Sequence, residues 1–173
     1  VVGSGVAGLR AAIQAASSSA QVLVVTKDEL PESNTWHAQG GIAVVMAPKD
    51  TVESHVADTL VGGAGLCNES VVRLVVGEGI DRVRELIDWG ACFDSADGLL
   101  VFTREGGHSA SRLLHAHGDA TGREIAQTLL RVADNHPNIE MQARTFIIDL
   151  VTDDAGRCRG ALAWHHERGL FLI

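Results

Sequence analysis

The chain opens with Val1-Val2-Gly3-Ser4-Gly5-Val6-Ala7-Gly8, and this stretch decides the fold. Gly3, Gly5 and Gly8 have the G-x-G-x-x-G spacing of the turn between the first strand and the first helix of a dinucleotide-binding unit. In such a turn Gly3 permits the bend, Gly5 lets the backbone approach a pyrophosphate, and Gly8 lets the helix pack closely on the strand. The helix N-terminus adds free amides and the positive end of a dipole, which attract the anion. The spacing therefore predicts a dinucleotide site.

The segments on either side of the turn complete a β-α-β unit. Val1-Val2 is typical of the end of a buried strand, and Leu9, Ile13 and Ala16 recur on one face of a helix. The run Val22-Leu23-Val24-Val25 has the length and composition of a buried parallel strand. We therefore expect an α/β fold of the Rossmann-like class, with a parallel sheet and helices packed against it.

In the rest of the sequence, the residue pattern predicts helices, followed by antiparallel strands at the C-terminal end. Asp50 and Glu53 have capping-box spacing and can begin a helix that reaches about Leu60. Another helix fits residues 122–133. The tail predicts a β-meander with strands at 146–152, 159–165 and 170–173.

A longer helical pattern runs from Asn68 to Trp89. Gly77 and Gly79 lie in its middle, and glycine disfavours a helix interior by about 1 kcal/mol relative to alanine. We therefore expect two helices with a break at these glycines. Gly90, just beyond the pattern, suits the left-handed residue that ends a helix.

Composition limits the functions that the chain can have. It carries 22 acidic and 14 basic side chains, a net charge of −8, and it lacks the Lys and Arg clusters with which proteins bind nucleic acid. No apolar run approaches the roughly 20 residues of a membrane-spanning helix. The three cysteines are widely spaced, which indicates neither disulfides nor a metal motif and fits a reducing cytoplasm. We expect a small-molecule ligand or a protein partner, no nucleic acid, no membrane span and a cytoplasmic location.

The acid that commonly holds the cofactor ribose is missing from its usual place, about 20 residues after the turn. The second strand ends instead in Thr26-Lys27, and Asp28 and Glu29 just beyond it are expected to be solvated loop charges. The Thr26 hydroxyl can still bond a ribose, and Lys27 can meet adenosine or phosphate groups or remain a solvated strand-end cation. Because a basic group here also fits a 2′-phosphate, the turn alone leaves NADP open.

Several short motifs together carry a family resemblance. They are the glycine turn, Thr26-Lys27, Ser33-Asn34-Thr35-Trp36-His37-Ala38-Gln39-Gly40-Gly41, Arg104-Glu105-Gly106-Gly107-His108-Ser109 and Asp119-Ala120-Thr121-Gly122. Combined, they resemble the flavoprotein family of succinate dehydrogenase, fumarate reductase and L-aspartate oxidase, and the resemblance runs through all 173 residues. It implies an FAD-binding domain in which the long loop wraps the pyrophosphate and the isoalloxazine. It also accounts for the missing acid, since this family commonly ends the second strand in a hydroxyl residue and Lys.

The resemblance implies a set of residues that contact FAD through backbone amides and polar side chains. They are Gly3, Ser4, Gly5, Val6, Ala7, Gly8, Lys27, Asn34, Thr35, Trp36, His37, Ala38, Gln39, Gly40 and Gly41. Respiratory members attach their flavin through a His in a Ser-His-Thr sequence, where this chain has Ser33-Asn34-Thr35. The flavin is therefore expected to be non-covalent.

The same resemblance implies the aspartate-oxidising branch of the family. Respiratory members commonly have Phe-Gly-Gly where this chain has Glu105-Gly106-Gly107, and a carboxylate there can orient the α-ammonium that distinguishes aspartate from succinate. The implied reaction converts L-aspartate to iminoaspartate for NAD biosynthesis, with oxygen or fumarate as electron acceptor and quinolinate synthase as protein partner. Glu105 is then the substrate-orienting residue of this chain.

Three alternatives stay open. Glu105 can form a surface pair with Arg104, since exposed ion pairs are common. The chain can belong to a succinate or fumarate oxidoreductase, or it can be a non-catalytic nucleotide-binding module. Each of these leaves the predicted α/β fold unchanged.

A metal site is not expected. His115 and His117 lie near His108 and Asp119 in the sequence, but an i, i+2 pair fits helical ligand geometry poorly, and the family uses no metal. Arg112 can support the loop or cap a neighbouring helix, and nothing in the sequence decides between these roles.

The resemblance also implies a domain assignment. Residues 1–173 are expected to be the N-terminal part of the FAD-binding domain, incomplete at both ends, because the chain opens without Met and stops within an apolar run. The capping domain, the rest of the FAD domain and a C-terminal helical domain, with the substrate-clamping residues, are expected outside it. We therefore expect the chain alone to be inactive.

Overall fold

The computed structural model describes all 173 residues. The helices are α1 (Val6–Ser17), α2 (Val52–Gly62), α3 (Glu69–Asp88) and α4 (Thr121–Asp134). The strands are β1 (Val22–Val25), β2 (Ile42–Ala43), β3 (Ser95–Ala96), β4 (Leu99–Leu100), β5 (Phe102–Thr103), β6 (Leu113–Leu114), β7 (Ile139–Gln142), β8 (Thr145–Thr152), β9 (Cys158–His165) and β10 (Gly169–Leu172). The chain divides into two units, the first made of Val1–His37 and Ala126–Ile173 and the second of Ala38–Ile125.

The first unit contains the predicted β-α-β unit. β1 pairs in parallel with β7, in a register that sets Val25 opposite Gln142, and Val2 forms a parallel bridge to Val25. The apolar face of α1 covers this sheet. One buried cluster contains Ala12, Ala16, Val22 and Val24, with Ala15, Ile139 and Met141 packed against them. The parallel pairing and the covering helix confirm the Rossmann-like class.

The end of the chain confirms the predicted β-meander, since β8, β9 and β10 form an antiparallel sheet in the order β10-β9-β8. β7, however, was not expected from the sequence. That strand is only four residues long, Ile139-Glu140-Met141-Gln142, and its partner β1 lies at the other end of the chain. Its local sequence carries little strand signal because the pairing that stabilises it is tertiary.

The second unit holds α2, α3 and two small antiparallel sheets. One sheet has the order β2-β6-β5 and the other is the hairpin β3-β4. In the hairpin turn Asp97 and Gly98 have φ of 51° and 78°, as a type I′ turn requires. The β2-β6-β5 sheet matters most for function because it brings three distant motifs of the sequence together.

The predicted capping box at Asp50 and Glu53 is wrong. Thr51 is the N-cap of α2, and its hydroxyl accepts the N–H of Ser54 at 3.1 Å. The carboxylate of Asp50 instead accepts the Thr51 N–H and binds the guanidinium of Arg112. A buried ion pair therefore takes Asp50 away from the capping role that its spacing suggested.

The predicted break at Gly77 and Gly79 is also wrong, since α3 is one continuous helix of 20 residues. Helix propensity is a weak prior that tertiary packing overrides, and α3 is held by buried Val76 and Val83 on either side of the glycines. Gly90 does take the predicted left-handed conformation, with φ of 91°. Although α3 is long, neither it nor any other helix combines the length and the apolar character that crossing a membrane would require.

Candidate cofactor-binding site

A cavity of about 660 Å³ lies in the first unit, at the point where β1 ends and α1 begins. Its walls are residues 2–8, 26–28, 32–35, 37 and 145–147. Thr26 follows β1 directly and Thr145 comes shortly after β7, so the cavity is at the carboxyl ends of the parallel strands. Open α/β sheets bind their ligands at that edge, and the volume is in the range of small-molecule sites.

The three glycines of the turn are required for different reasons. Gly3 has a backbone φ of 99°, which residues with a side chain rarely adopt, so Gly3 permits the bend of the turn. A Cβ on Gly8 would lie 2.0 Å from the carbonyl oxygen of Gly3, so only glycine lets α1 approach the turn this closely. Gly5 has an ordinary φ of −76°, and a Cβ there would come no closer than 3.4 Å to another atom, Thr35 Oγ1. The protein alone gives Gly5 no reason to be glycine, whereas a ligand that approaches its backbone would.

The start of α1 is bound to the following loop. The Val6 N–H donates to Thr35 Oγ1 at 3.0 Å, and the Trp36 N–H donates to Ser33 Oγ at 3.2 Å. The first N–H groups of a helix have no intrahelical acceptor, so those of Ala7 and Gly8 are available to an anion in the cavity. The loop thus lies beside the part of the site where a pyrophosphate would be bound.

The end of β1 provides both hydroxyl and charged groups. Thr26 is buried, and its Oγ1 accepts a hydrogen bond from Ser4 Oγ at 3.3 Å. Lys27, Asp28 and Glu32 all line the cavity. Asp28 is exposed, as expected from the sequence, although it also lines the cavity. Glu32 was not expected there, because the loop after β1 turns back toward α1 and no spacing rule describes that return.

The second half of the predicted cofactor loop, Ala38–Gly41, belongs to the second unit. There it is fixed to the Asp119–Gly122 motif, since Gln39 Nε2 donates to Asp119 Oδ2 at 3.1 Å and the Gly122 N–H donates to the Ala38 carbonyl at 3.2 Å. The structure therefore places Gly3–Gly8, Lys27, Asn34, Thr35 and His37 around one cavity. Trp36 and Ala38–Gly41 do not line it.

Glu105 is half exposed, with 56% of its side chain accessible. Its Oε1 lies 3.8 Å from His115 Nε2, and the Thr103 hydroxyl lies 2.8 Å from the same nitrogen. A Cβ on Gly41 would come within 2.9 Å of His115 Nε2, so the imidazole packs directly on the backbone of Gly41. One histidine thus contacts the predicted cofactor loop and the predicted substrate residue, and the sequence analysis gave it no role.

Arg112 is buried and joins the segment that carries Glu105 to α2. Its guanidinium donates to both carboxylate oxygens of Asp50, at 2.7 and 2.8 Å, and to Asp58 Oδ2 at 2.5 Å. The backbone N–H and the hydroxyl of Ser109 also donate to Asp58, each at 2.8 Å. These Ser109 hydrogen bonds, followed by the one from Arg112, lower the pKa of Asp58 to about 2. Asp58 therefore remains an anion that holds both residues.

The histidines of this region do not assemble into a metal site. His108 Nδ1 faces the Arg112 guanidinium at 3.3 Å, and His117 Nε2 lies 3.3 Å from Glu124. No group of three or more His, Cys, Asp or Glu side chains in the chain could hold a metal ion. His55 is buried beside Arg112, and burial, followed by the charge of Arg112, lowers its pKa.

The cavity fits the phosphate end of a dinucleotide. It combines a turn whose second glycine leaves room for a ligand, the unpaired amides of a helix N-terminus and a lysine on its wall. These groups are what an anionic pyrophosphate requires: close backbone approach, N–H donors and positive charge.

Comparison with known proteins identifies the protein family to which the chain belongs. Residues 1–171 match the FAD binding domain family, and the chain belongs to that family. The match confirms the predicted FAD-binding domain and its cofactor, FAD, and it sets aside the NADP alternative.

The curated relatives narrow the comparison. The chain is 54% identical to "L-aspartate oxidase, chloroplastic" of Arabidopsis thaliana over 157 residues, which are 90% of this chain and 24% of the relative. It is 48% identical to the L-aspartate oxidase of Streptomyces coelicolor over 161 residues, 92% of this chain and 28% of the relative. The chain thus spans about a quarter of the length of these relatives.

Solved structures of other proteins contain the same fold. Mycobacterium smegmatis Sdh1 in complex with UQ1 matches with a TM-score of 0.91 and 36% identity, over 99% of this chain and 31% of that one. A quinol-fumarate reductase with menaquinol molecules matches with a TM-score of 0.93 and 33% identity, over 100% of this chain and 30% of that one. The fold is therefore shared with proteins whose names differ from those of the curated relatives.

Proposed function

We propose that the complete gene product oxidises L-aspartate to iminoaspartate with FAD. The observation that carries the proposal is the position of Glu105, a half-exposed carboxylate beside His115, whose ring packs on Gly41 of the predicted cofactor loop. The similarity to proteins named L-aspartate oxidase supports the choice of substrate.

Glu105 would distinguish aspartate from succinate. The two dicarboxylates differ by one α-ammonium, and a charge-assisted hydrogen bond is worth about 1.5–3 kcal/mol. That free energy corresponds to about 10- to 100-fold in binding. Glu105→Gln should therefore raise the KM for aspartate by at least about tenfold and leave binding of fumarate, which has no ammonium, almost unchanged.

The cofactor contacts stay a proposal: Gly3–Gly8 and Lys27 at the phosphates, and 34–41 along the rest of FAD. Bound FAD would accept the hydrogen and electron pair removed from the substrate, while these residues hold and orient it. Because Asn34 has no nucleophilic nitrogen, we propose a non-covalent flavin. Acid precipitation should release yellow FAD into the supernatant, and flavin that stays in the pellet would contradict the assignment.

A second candidate is a succinate or fumarate oxidoreductase, which the similarity to the quinol-fumarate reductase supports. Anaerobic mixing separates the two candidates, because only the true substrate bleaches the flavin absorbance. Bleaching by aspartate and not by succinate supports the proposal. The reverse result replaces it with the second candidate.

The remaining proposals concern the electron acceptor, the protein partner, the cellular location and the activity of these 173 residues alone. Oxygen or fumarate would reoxidise the flavin, and quinolinate synthase would consume the iminoaspartate in NAD biosynthesis. The three cysteines are free, which suits the reducing cytoplasm that we propose. We also propose that these 173 residues alone are inactive. Hydrogen peroxide formed from aspartate and FAD above a no-protein control would overturn that proposal.

A further inference from the structure

His115 lies where the antiparallel pairing of β2 and β6 brings two motifs together. Ile42 pairs with Leu114, so the residues next to them, Gly41 and His115, are neighbours across the ladder. β5 pairs with the other edge of β6 and sets Thr103 opposite Leu113. The register therefore places one imidazole between the predicted cofactor loop and the segment that leads into Glu105.

Both nitrogens of the His115 ring have partners that fix its orientation. Nδ1 lies 3.2 Å from the carbonyl oxygen of Gly118, which can only accept, so Nδ1 carries the proton. Nε2 is paired with the Thr103 hydroxyl at 2.8 Å, and in the neutral Nδ1–H tautomer Nε2 accepts that hydroxyl. The side chain is only 16% exposed, so the ring is held by packing as well as by hydrogen bonds. The neutral Nδ1–H tautomer of His115 presents a fixed ring with no proton to donate from Nε2.

Glu105 lies against this surface without being neutralised by it. Its Oε1 is 3.8 Å from Nε2, too far for a hydrogen bond, and Nε2 is already paired with the Thr103 hydroxyl. Both carboxylate oxygens therefore stay available as acceptors for a cation. A protonated His115 would instead pair with Glu105 and compete with a substrate ammonium for the same oxygen.

We propose that His115 is a positioning residue, which holds the Glu105 carboxylate beside Gly41 and leaves it free to bind the α-ammonium of the substrate. The inference rests on the proposed function, because it assumes that Glu105 meets an amino-bearing dicarboxylate. It adds a specificity determinant that acts through Glu105 and does not itself touch the substrate.

The test replaces His115 in the complete gene product with a residue of similar shape and no polar atoms. His115→Phe keeps an aromatic ring against Gly41, and the Thr103 hydroxyl that loses its partner is exposed to water. We expect the KM for aspartate to rise about fivefold, with kcat within about twofold of wild type and the KM for fumarate unchanged. An equal loss with aspartate and fumarate would show a merely structural role and would overturn the inference.

A double-mutant cycle with Glu105→Gln tests whether the two residues act together. If His115 acts through Glu105, adding His115→Phe to Glu105→Gln should change the KM for aspartate no further. Additive effects would contradict the proposal. His117→Asn is the matched control, because His117 is exposed, pairs with Glu124 instead, and has a positive φ that Asn tolerates. It should behave as wild type.

A spectroscopic measurement that needs no turnover can show which nitrogen of the His115 ring carries the proton. Nitrogen-15 spectra of the histidine-labelled protein, with the His115 signal assigned by its loss in His115→Phe, should show the proton on Nδ1. A proton on Nε2 would overturn the proposed geometry. Failure of the proposed function is distinguishable from these results, because aspartate would then not reduce the wild-type flavin at all. The inference fails on its own when the wild type oxidises aspartate but the KM comparison, the double-mutant cycle or the nitrogen-15 spectra give the contrary result.

Discussion

Replacing Gly8 with alanine would place a methyl group where the first unit has no room for one. The new Cβ would lie 2.0 Å from the carbonyl oxygen of Gly3, which is 1.4 Å inside the 3.4 Å at which ordinary contact begins. The neighbour is backbone, so the turn itself has to move. Overpacking of this kind costs up to about 3 kcal/mol, and alanine recovers about 1 kcal/mol of helix propensity. We expect a net loss of about 2 kcal/mol in stability.

Gly5→Ala is the matched variant because it makes the same chemical change three residues earlier. Gly5 has φ of −76° and ψ of 179°, which alanine adopts freely, and its Cβ would meet nothing closer than 3.4 Å. Loss of freedom in the unfolded chain stabilises the fold by about 0.4–1 kcal/mol, which offsets the cost of replacing glycine with alanine at the N-cap of α1. The methyl group would, however, point into the space that a pyrophosphate needs. We therefore expect unchanged stability and an FAD Kd at least tenfold higher, about 1.4 kcal/mol.

Both variants are measured in the complete gene product. Hydrogen exchange of the α1 amides in the FAD-free protein reports local stability, and quenching of flavin fluorescence gives the Kd. Gly8→Ala should increase exchange in α1 and Gly5→Ala should not. If Gly5→Ala binds FAD as wild type does, the pyrophosphate is not bound at this turn. If Gly8→Ala exchanges as slowly as wild type, the close packing of α1 on the turn is not what requires the glycine.

Two further substitutions examine other contacts. Thr35→Val removes the acceptor of the Val6 N–H at 3.0 Å, so we expect the FAD Kd to rise about fivefold. Thr35→Ser keeps the hydroxyl and should bind FAD as the wild type does. Equal Kd values for the two variants would contradict the role of the hydroxyl. Asp58 has a folded pKa lowered from 3.8 to about 2, so its ionised form stabilises the fold above pH 4 and that stabilisation is lost as the pH falls toward 2. Asp58→Asn should therefore reduce the dependence of the urea unfolding midpoint on pH between about 4 and 2. If the midpoint of Asp58→Asn falls with pH as steeply as that of the wild type, Asp58 is not the group that titrates.

The parts of the fold that the sequence predicts well are those fixed by short-range patterns. The glycine spacing and the apolar face of α1 lie within one strand-turn-helix segment, and both are where they were expected. The antiparallel strands of the tail follow each other along the chain, so their alternation and turns suffice. The cavity walls at 3–8 and 34–35 follow from the same local signals and from the family resemblance.

The parts that escaped prediction depend on contacts between distant residues. β7 is a strand because β1 offers it a parallel partner. Thr145 lies at the cavity because its N–H donates to the carbonyl oxygen of Thr26 at 2.8 Å. Asp50 fails as a cap because Arg112 binds it, and no local pattern could show this. His115 looked like half of a histidine pair in the sequence, whereas its partners, Thr103 and Gly118, are set by the β5-β6 register and by a turn.

These distant contacts explain how Glu105 can be held in place while it remains half exposed. On its N-terminal side, Thr103 pairs in register with Leu113, and on its C-terminal side Ser109 is fixed to Asp58 of α2. The segment between these anchors is short, so few conformations of its backbone remain and little entropy is lost when a ligand orders it. A carboxylate on such a segment keeps its hydration and charge until a cation arrives. In the proposed function, the orientation of a substrate ammonium by Glu105 would therefore depend on the partly buried Asp58 carboxylate, which lies outside the proposed substrate contact.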